Sequence, residues 1–387
     1  MQNHQLNDAV QQGQAALQSG RFQDAFEVFR QADQPETDDP RVLMGLAIAA
    51  KGLGDHQGSL NAIDRFIRVD HDQQPIALVM RGDALKGLGK QRQAIAAYMS
   101  AIQAVPPNAQ LDARTISELK RAQQECSSAA NIYESWLRNH VQTALGGDAV
   151  RHGSRGALTL DLIFGKQQVY QQQPQRFYFP ELPPRQFYEA SEFDWAEAVQ
   201  AASDDIKAEF AVLSGDEHRF GAYVSADGRE PHLRQHALTG SRDWSAIHLV
   251  RNGDRIEDNL ASCPKTMTAL GHAPVPEVQG QSPSILFSRL VPGAHIPPHT
   301  GLTNTRLICH LPIVLPDSCS IRVGNQTRGW TDGELLIFDD SIEHEARNAS
   351  QCDRSVLIFD IWRPELTPDD RALVQSIFAG IAAFGEA

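Results

Sequence analysis

The apolar positions along the chain follow two periods. As far as about residue 145 they recur at intervals of three and four, the spacing of helices with one buried face. From about residue 244 they alternate, the spacing of half-buried strands. In the first stretch Leu17-x-x-Gly20, Leu53-Gly54 and Leu88-Gly89 each separate two helical patterns, and the glycines are 34 and 35 residues apart. Five residues after each glycine stands a small residue (Ala25, Ser59, Ala94), and seven before it another (Gly13, Ala47, Gly82). Such residues let paired helices approach closely, while glycine ends the first helix of each pair in a left-handed turn. The same pattern predicts a longer amphipathic helix over 110–145 and a further one over 193–214, through Trp195, Ala198, Val199, Ile206 and Phe210.

Pro40 and Pro75 open the second and third copies, and Pro106 closes the third. These positions resemble the tetratricopeptide repeat, a helix-turn-helix unit of about 34 residues. The resemblance covers residues 5–108 and implies about three repeats stacked as an all-α solenoid. The helix at 110–145 then caps the open end, within a capping or linker segment 109–150. Gly146-Gly147 and the stretch 152–156 read as a boundary. The Gln- and Pro-rich stretch 167–188 reads as an ordered connector or as an arm of a second domain spanning 160–387.

In that second domain the β-rich runs are SILFSRLV (284–291), TRLICHLPIVL (305–315), SIRVG (320–324), ELLIFDD (334–340) and RSVLIFDIW (354–362). Turn signals separate them at Pro292-Gly293, Pro316-Asp317, Gly324-Asn325 and Asp332-Gly333. Short strands at this spacing predict an antiparallel sandwich or barrel. Thr367-Pro368-Asp369-Asp370 predicts a final helix, with Thr367 as its cap and proline at the first helical position.

Composition narrows the function classes. At roughly 150 residues per domain, 387 residues allow two or three domains. A hydrophobic fraction of 41% and a charged fraction of 21% exclude a mainly disordered or fibrous chain. The net charge of −13 opposes nucleic acid and anionic membranes, so neither is an expected partner. No apolar run approaches the ~18–20 residues of a spanning helix, and MQNHQLNDAVQQ lacks the pattern of a signal peptide. The five cysteines are odd in number and show no CxxC spacing, which argues against a disulfide framework and a thiolate zinc site and leads us to expect a cytoplasmic protein.

Two histidines carry the candidate chemistry. His299 lies in a predicted turn before one strand and His344 just after another, 45 residues further on. Two neutral imidazoles suit Fe(II), Zn, Cu or Ni, although with 14 histidines in the chain spacing alone does not single them out. Arg354 opens the last apolar strand. Its guanidinium either holds a ligand carboxylate through paired hydrogen bonds or forms a salt bridge with Asp353 or Asp360. Alternation along 305–315 places Arg306, Ile308 and His310 on one face.

A longer motif string decides between these readings. Pro298-His299-Thr300-Gly301-x-Thr303-Asn304-x-Arg306-Leu307-x-x-His310-Leu311 is followed by Leu336-Ile337-Phe338-Asp339-Asp340-Ser341-x-Glu343-His344-Glu345, then by Arg354 and Asp360-x-Trp362-x-Pro364-Glu365-Leu366-Thr367. Over roughly 170–380 the chain resembles the aspartyl/asparaginyl β-hydroxylase family, Fe(II)- and 2-oxoglutarate-dependent oxygenases on a double-stranded β-helix of the jelly-roll, cupin-like kind, whose members also carry tetratricopeptide repeats. The resemblance implies a multidomain chain, with a repeat solenoid followed by a mainly-β domain with flanking helices. It implies His299 and His344 as the iron ligands, Arg354 and Ser288 as holders of the distal carboxylate of 2-oxoglutarate, His310 and Trp244 as further cosubstrate contacts, and Arg306 as a substrate contact. The carboxylate position of the wider class is Gly301 here, which is the family's own pattern. Ile308 stands where members acting on protein Asp or Asn residues carry a second arginine. Asp340 is expected to support the site from behind the ligands, and Glu345 to face away from His344.

The implied activity is hydroxylation at the β-carbon of an aspartyl or asparaginyl unit in a protein, peptide or small molecule, with O2 as oxidant and succinate and CO2 as coproducts. The alternatives are hydroxylation of a lipid acyl chain by the same chemistry, and a non-catalytic repeat-based adaptor. The repeats either recruit a protein or peptide substrate or pack on the second domain. The sequence leaves the oligomeric state open.

Overall fold

Helices fill the first part of the chain and antiparallel strands most of the rest. The structure is a computed structural model that describes residues 2–33, 38–70, 74–151, 153–224 and 238–385. It divides into two units, Met1–Leu160 and Asp161–Ala387.

In the first unit α1 (Gln2–Gln18) pairs with α2 (Phe22–Ala32), α3 (Pro40–Gly52) with α4 (His56–Val69), and α5 (Gln74–Gly87) with α6 (Gln91–Gln103). The expected turns are present, since Gly20, Gly54 and Gly89 have φ of 71°, 76° and 72°. The small residues mark close approaches. Ala25, Ala47 and Ala94 are fully buried, and a Cβ added to Gly82 would lie 2.3 Å from the Tyr98 ring. α7 (Ala113–Leu145) lays Leu119, Ala122 and Cys126 against this core as the cap. Of the boundary stretch, His152 lies outside the described residues, and Arg155 already opens α8 (Arg155–Ile163).

The second unit is a double sheet. Its strands are β1 (Phe187–Tyr188), β2 (Gly221–Ala222), β3 (Trp244–Arg251), β4 (Asp254–Arg255), β5 (Ile285–Leu290), β6 (His295–His299), β7 (Arg306–Val314), β8 (Cys319–Val323), β9 (Gln326–Arg328), β10 (Leu336–Phe338), β11 (His344–Asn348) and β12 (Arg354–Trp362). The larger sheet runs β1-β10-β7-β12-β5-β3-β2, with β4 on β3, and the smaller runs β6-β11-β8-β9. Every pairing in the two ladders is antiparallel. β12 is buried along its whole length, which is why its sequence is a continuous apolar run rather than an alternation. One face packs with Phe210, Phe287, Phe359 and Ile361 beneath α9 (Ala196–Ala201) and α10 (Ser203–Ser214). The other closes the space between the sheets with Leu286, Ile296, Ile321, Phe338 and Ile358.

Two expectations need correction. The single helix over 193–214 breaks at Ala202, and α10 restarts with Asp204 and Asp205 in its first turn, where the helix dipole favours acids. His299 and His344 do not flank strands but end β6 and begin β11, and they face each other in register. β6 escaped the pattern because Pro297 and Pro298 read as turn residues. They are tolerated because β6 is the edge of its sheet. The last helix (Pro368–Gly385) starts as expected: Thr367 Oγ1 accepts from Asp370 N at 3.2 Å, and Thr367 N donates to Asp370 Oδ2 at 2.9 Å.

Candidate active site

Antiparallel register brings the two imidazoles together, with ring centroids 4.1 Å apart and planes at 51°. Each Nδ1 donates to a carbonyl two residues earlier, His299 to Pro297 O at 2.9 Å and His344 to Ile342 O at 3.0 Å. Those bonds fix the tautomer and leave the lone pair on Nε2 of both rings. Burial pulls the His344 pKa from 6.5 to about 4, so this ring is neutral across the physiological range. Glu345 turns away as alternation requires, accepting from Arg322 Nε on one side and lying 2.6 Å from His295 Nε2 on the other.

The cavity beside the pair has a volume of about 150 Å³ and lies between the sheets. All seven residues singled out by the sequence line it: Trp244, Ser288, His299, Arg306, His310, His344 and Arg354. At one end stands Arg354, 1% exposed and opposite Leu290 of β5. Neither predicted salt bridge forms. Asp353 lies 3.9 Å from Arg289, and Asp360 accepts from Ser282, Ser284 N and Arg306. No carboxylate among the described residues pairs with Arg354. Its guanidinium lies 5.0 Å above the Trp330 ring, its Nε has no hydrogen-bond partner, and burial pulls its pKa down from the usual guanidinium range to about 10. An uncompensated buried cation of this kind is costly unless an anion joins it. Next to it Trp244 Nε1 donates to Ser288 Oγ at 3.0 Å, while Tyr223 stacks on Trp244 at 3.8 Å. His310 is held between Trp330 and Phe338 with its Nδ1 unpartnered. Burial, then Arg354 and His344, push its pKa well below the usual imidazole range.

The opposite end behaves differently. Arg306 Nη1 donates to the fully buried Asp360 at 3.0 Å, and Nη2 lies 3.7 Å from Asp340 Oδ2. Its charge is thus already matched by carboxylates of the chain itself. Burial raises the Asp340 pKa from 3.8 to about 7, with Arg306 opposing. The Asp340 carboxylate fills the space beside Gly301: a Cβ there would lie 2.0 Å from Asp340 Oδ2. Glycine at the position of the wider class's carboxylate is therefore a packing requirement here.

The donor set fits an iron ion held by two imidazoles. Both rings offer Nε2, no third His, Cys, Asp or Glu joins them as a ligating cluster among the described residues, and the residues lining the cavity carry unpartnered polar atoms at Arg354 Nε, Arg306 Nε, His310 Nδ1, His248 Nδ1 and Asp340 Oδ1. A small diacid reaching from the pair to Arg354 would satisfy the cationic end. Sequence reasoning missed Trp330, Tyr223 and His248. Trp330 sits in the loop between β9 and β10 with no periodic signal, and the other two line the cavity from β3 and from the residue after β2.

Residues 200–364 match the family model described as Aspartyl/Asparaginyl beta-hydroxylase. Over 137 residues the chain is 43% identical to the human Aspartyl/asparaginyl beta-hydroxylase, covering 35% of this chain and 18% of that protein. It is 32% identical over 186 residues to the Ornithine lipid ester-linked acyl 2-hydroxylase of Rhizobium tropici, covering 47% of this chain and 62% of the other. The helical part resembles the Sgt2 TPR domain from Aspergillus fumigatus at 21% identity and a TM-score of 0.28, covering 33% of this chain and 82% of that one. The chain spans less than two thirds of the length of these curated relatives.

Proposed function

Because residues 200–364 match the aspartyl/asparaginyl β-hydroxylase family model, we propose that the chain is an Fe(II)- and 2-oxoglutarate-dependent hydroxylase acting at the β-carbon of an aspartyl or asparaginyl unit. The observation that carries this reading is the pairing of two Nε2-presenting imidazoles with a buried guanidinium that has no carboxylate of its own among the described residues. His299 and His344 would hold the iron, and Arg354 with Ser288 the distal carboxylate of 2-oxoglutarate. When bound, the iron and its cosubstrate supply the oxidising chemistry, with O2 consumed and succinate and CO2 released.

The protein's part is orientation and exclusion of water. Trp244, braced by Tyr223, fixes the Ser288 hydroxyl through its indole N–H. Asp360 locks Arg306 at the substrate end, and Ile308, Leu286 and Ile358 keep the intervening wall apolar. Asp340, near neutrality in its proton affinity, offers an unpartnered oxygen beside the imidazoles. With Arg306 matched by Asp360 and no second cation at position 308, the substrate end favours an uncharged amide over a carboxylate. The same apolar wall supports a second reading, an acyl-chain substrate, in line with the similarity to the Rhizobium acyl hydroxylase. The repeats would recruit a protein or peptide substrate.

The test is 2-oxoglutarate turnover by the Fe(II)-loaded protein against a panel of Asp- and Asn-containing peptides, small molecules and acyl lipids. Succinate should form together with a product one oxygen atom heavier at an Asp or Asn residue. Coupled turnover only with acyl lipids selects the second reading, and no succinate under any condition rejects both.

A further inference from the structure

We propose that residues 170–188 are a positioning strap for the two loops that carry the imidazoles, with Gln172 as its central residue. The proposal rests on the hydroxylase reading above and adds a role to a segment outside the cavity. His299 ends β6, and the loop that follows crosses to β7 in the other sheet. His344 begins β11, and the turn before it arrives from β10, also in the other sheet. Both imidazoles therefore sit at the last ladder position before the chain passes between sheets, and the loops next to them lie outside the ladders.

The strap supplies those bonds instead. Gln173 N donates to Ser341 O at 2.7 Å, Gln175 N to Gly301 O at 2.9 Å and Phe177 N to Leu302 O at 3.0 Å. The Gln172 side chain joins the two loops directly. Its Oε1 accepts from Asn304 Nδ2 at 2.9 Å, and its Nε2 donates to Asp339 Oδ2 at 2.8 Å and to Pro183 O at 3.2 Å. Asn304 in turn holds the strap at both backbone atoms of Phe179, and the second oxygen of Asp339 accepts from Ser341 N and Oγ. Arg363 completes the cluster through Asp339 Oδ2 at 2.6 Å, and Asn304, Asp339 and Arg363 are all fully buried. Buried networks of this kind specify a position only when every member is satisfied. The central group here must offer one acceptor toward Asn304 and donors toward Asp339 and Pro183, which a primary amide does. A glutamate would lose both donors and set a second carboxylate against Asp339; a leucine would remove one hydrogen bond each from Asn304 Nδ2, Asp339 Oδ2 and Pro183 O and cut the side-chain link between the two loops.

The experiment is titration of the metal-free full-length protein with Mn(II), read by the EPR signal of the free ion. Gln172→Leu should weaken Mn(II) binding about 10- to 100-fold, the usual effect of removing a partner that orients metal ligands. Asn304→Asp, which keeps shape and removes the donor to Gln172, should do the same. Val199→Ala, a core truncation in the same unit away from the site, should lower Tm and leave the Mn(II) Kd unchanged. Unchanged affinity in both strap variants, or a loss that Val199→Ala reproduces at equal Tm, overturns the strap's role while leaving the hydroxylase reading intact. Wild-type protein that binds no Mn(II) overturns the hydroxylase reading itself, and the strap's role with it.

Discussion

Replacing Arg354 by methionine should make the ligand-free second unit more stable. Arg354 is 1% exposed, has no carboxylate partner among the described residues, and burial brings its pKa down from the usual guanidinium range to about 10. At about 1.4 kcal/mol per pK unit, that depression corresponds to about 3 kcal/mol of destabilisation. The group is ionised in both the folded and unfolded states at neutral pH. The cost is therefore present in full there, and is relieved only as pH rises through about 10. Stacking over Trp330 at 5.0 Å returns about 1 kcal/mol. Methionine, unbranched and apolar, fills most of the vacated volume. The net gain is about 2 kcal/mol, a rise in Tm of roughly 4–8 °C for a unit of this size. The ligand response should reverse. With Mn(II) present, 2-oxoglutarate at a hundredfold excess over its Kd stabilises the wild type by about 2.7 kcal/mol and adds little to the variant. Thermal melts of both proteins with and without the diacid measure all four quantities. A variant that melts below the wild type without ligand, or that keeps the full ligand-dependent rise, refutes the claim that Arg354 is an unpaired cation awaiting a carboxylate.

Further outcomes follow from the same structure. Asp340 has a folded pKa raised from 3.8 to about 7, so its contribution is most favourable below about pH 4 and is lost as pH rises toward 7; Asp340→Asn should gain a few kcal/mol over wild type in denaturant melts at pH 8 and almost none at pH 4. His344 has the opposite sign: its folded pKa is lowered from 6.5 to about 4, so stability falls by about 3 kcal/mol as pH drops through that window, and His344→Gln should flatten the drop. In the repeats, Gly82→Ala sets a methyl 2.3 Å from the Tyr98 ring and should cost the first unit about 1–3 kcal/mol despite alanine's better helix propensity, seen as a lower helical melting midpoint.

The repeats were legible because their signal is local: a glycine at the left-handed turn and a small residue at each close approach recur in register, and both have direct structural counterparts at Gly54 and Ala94. The strands with clean alternation or a continuous apolar run were legible for the same reason, and β12 lies where its sequence predicts. β6 was hidden because prolines are excluded from sheet interiors but not from edges, and a sequence does not announce which strand is the edge. The cavity residues were found through the motif string rather than through periodicity. What the string could not supply was the state of each charge. Arg354 and Arg306 look alike in sequence, and only the register of β12 against β7 shows that Asp360 reaches Arg306 and leaves Arg354 alone. The strap was out of reach for a related reason: Gln172 is separated from Asp339 by 167 residues, and Gln-rich sequence carries no period.

The most direct measurement is anaerobic titration of the full chain with Fe(II) and 2-oxoglutarate, followed by visible absorption. The account predicts a weak charge-transfer band that saturates at one metal and one diacid per chain, disappears in His299→Ala and His344→Ala, and requires far more diacid in Arg354→Met. No band in the wild type, or a band unchanged in those three variants, would contradict it.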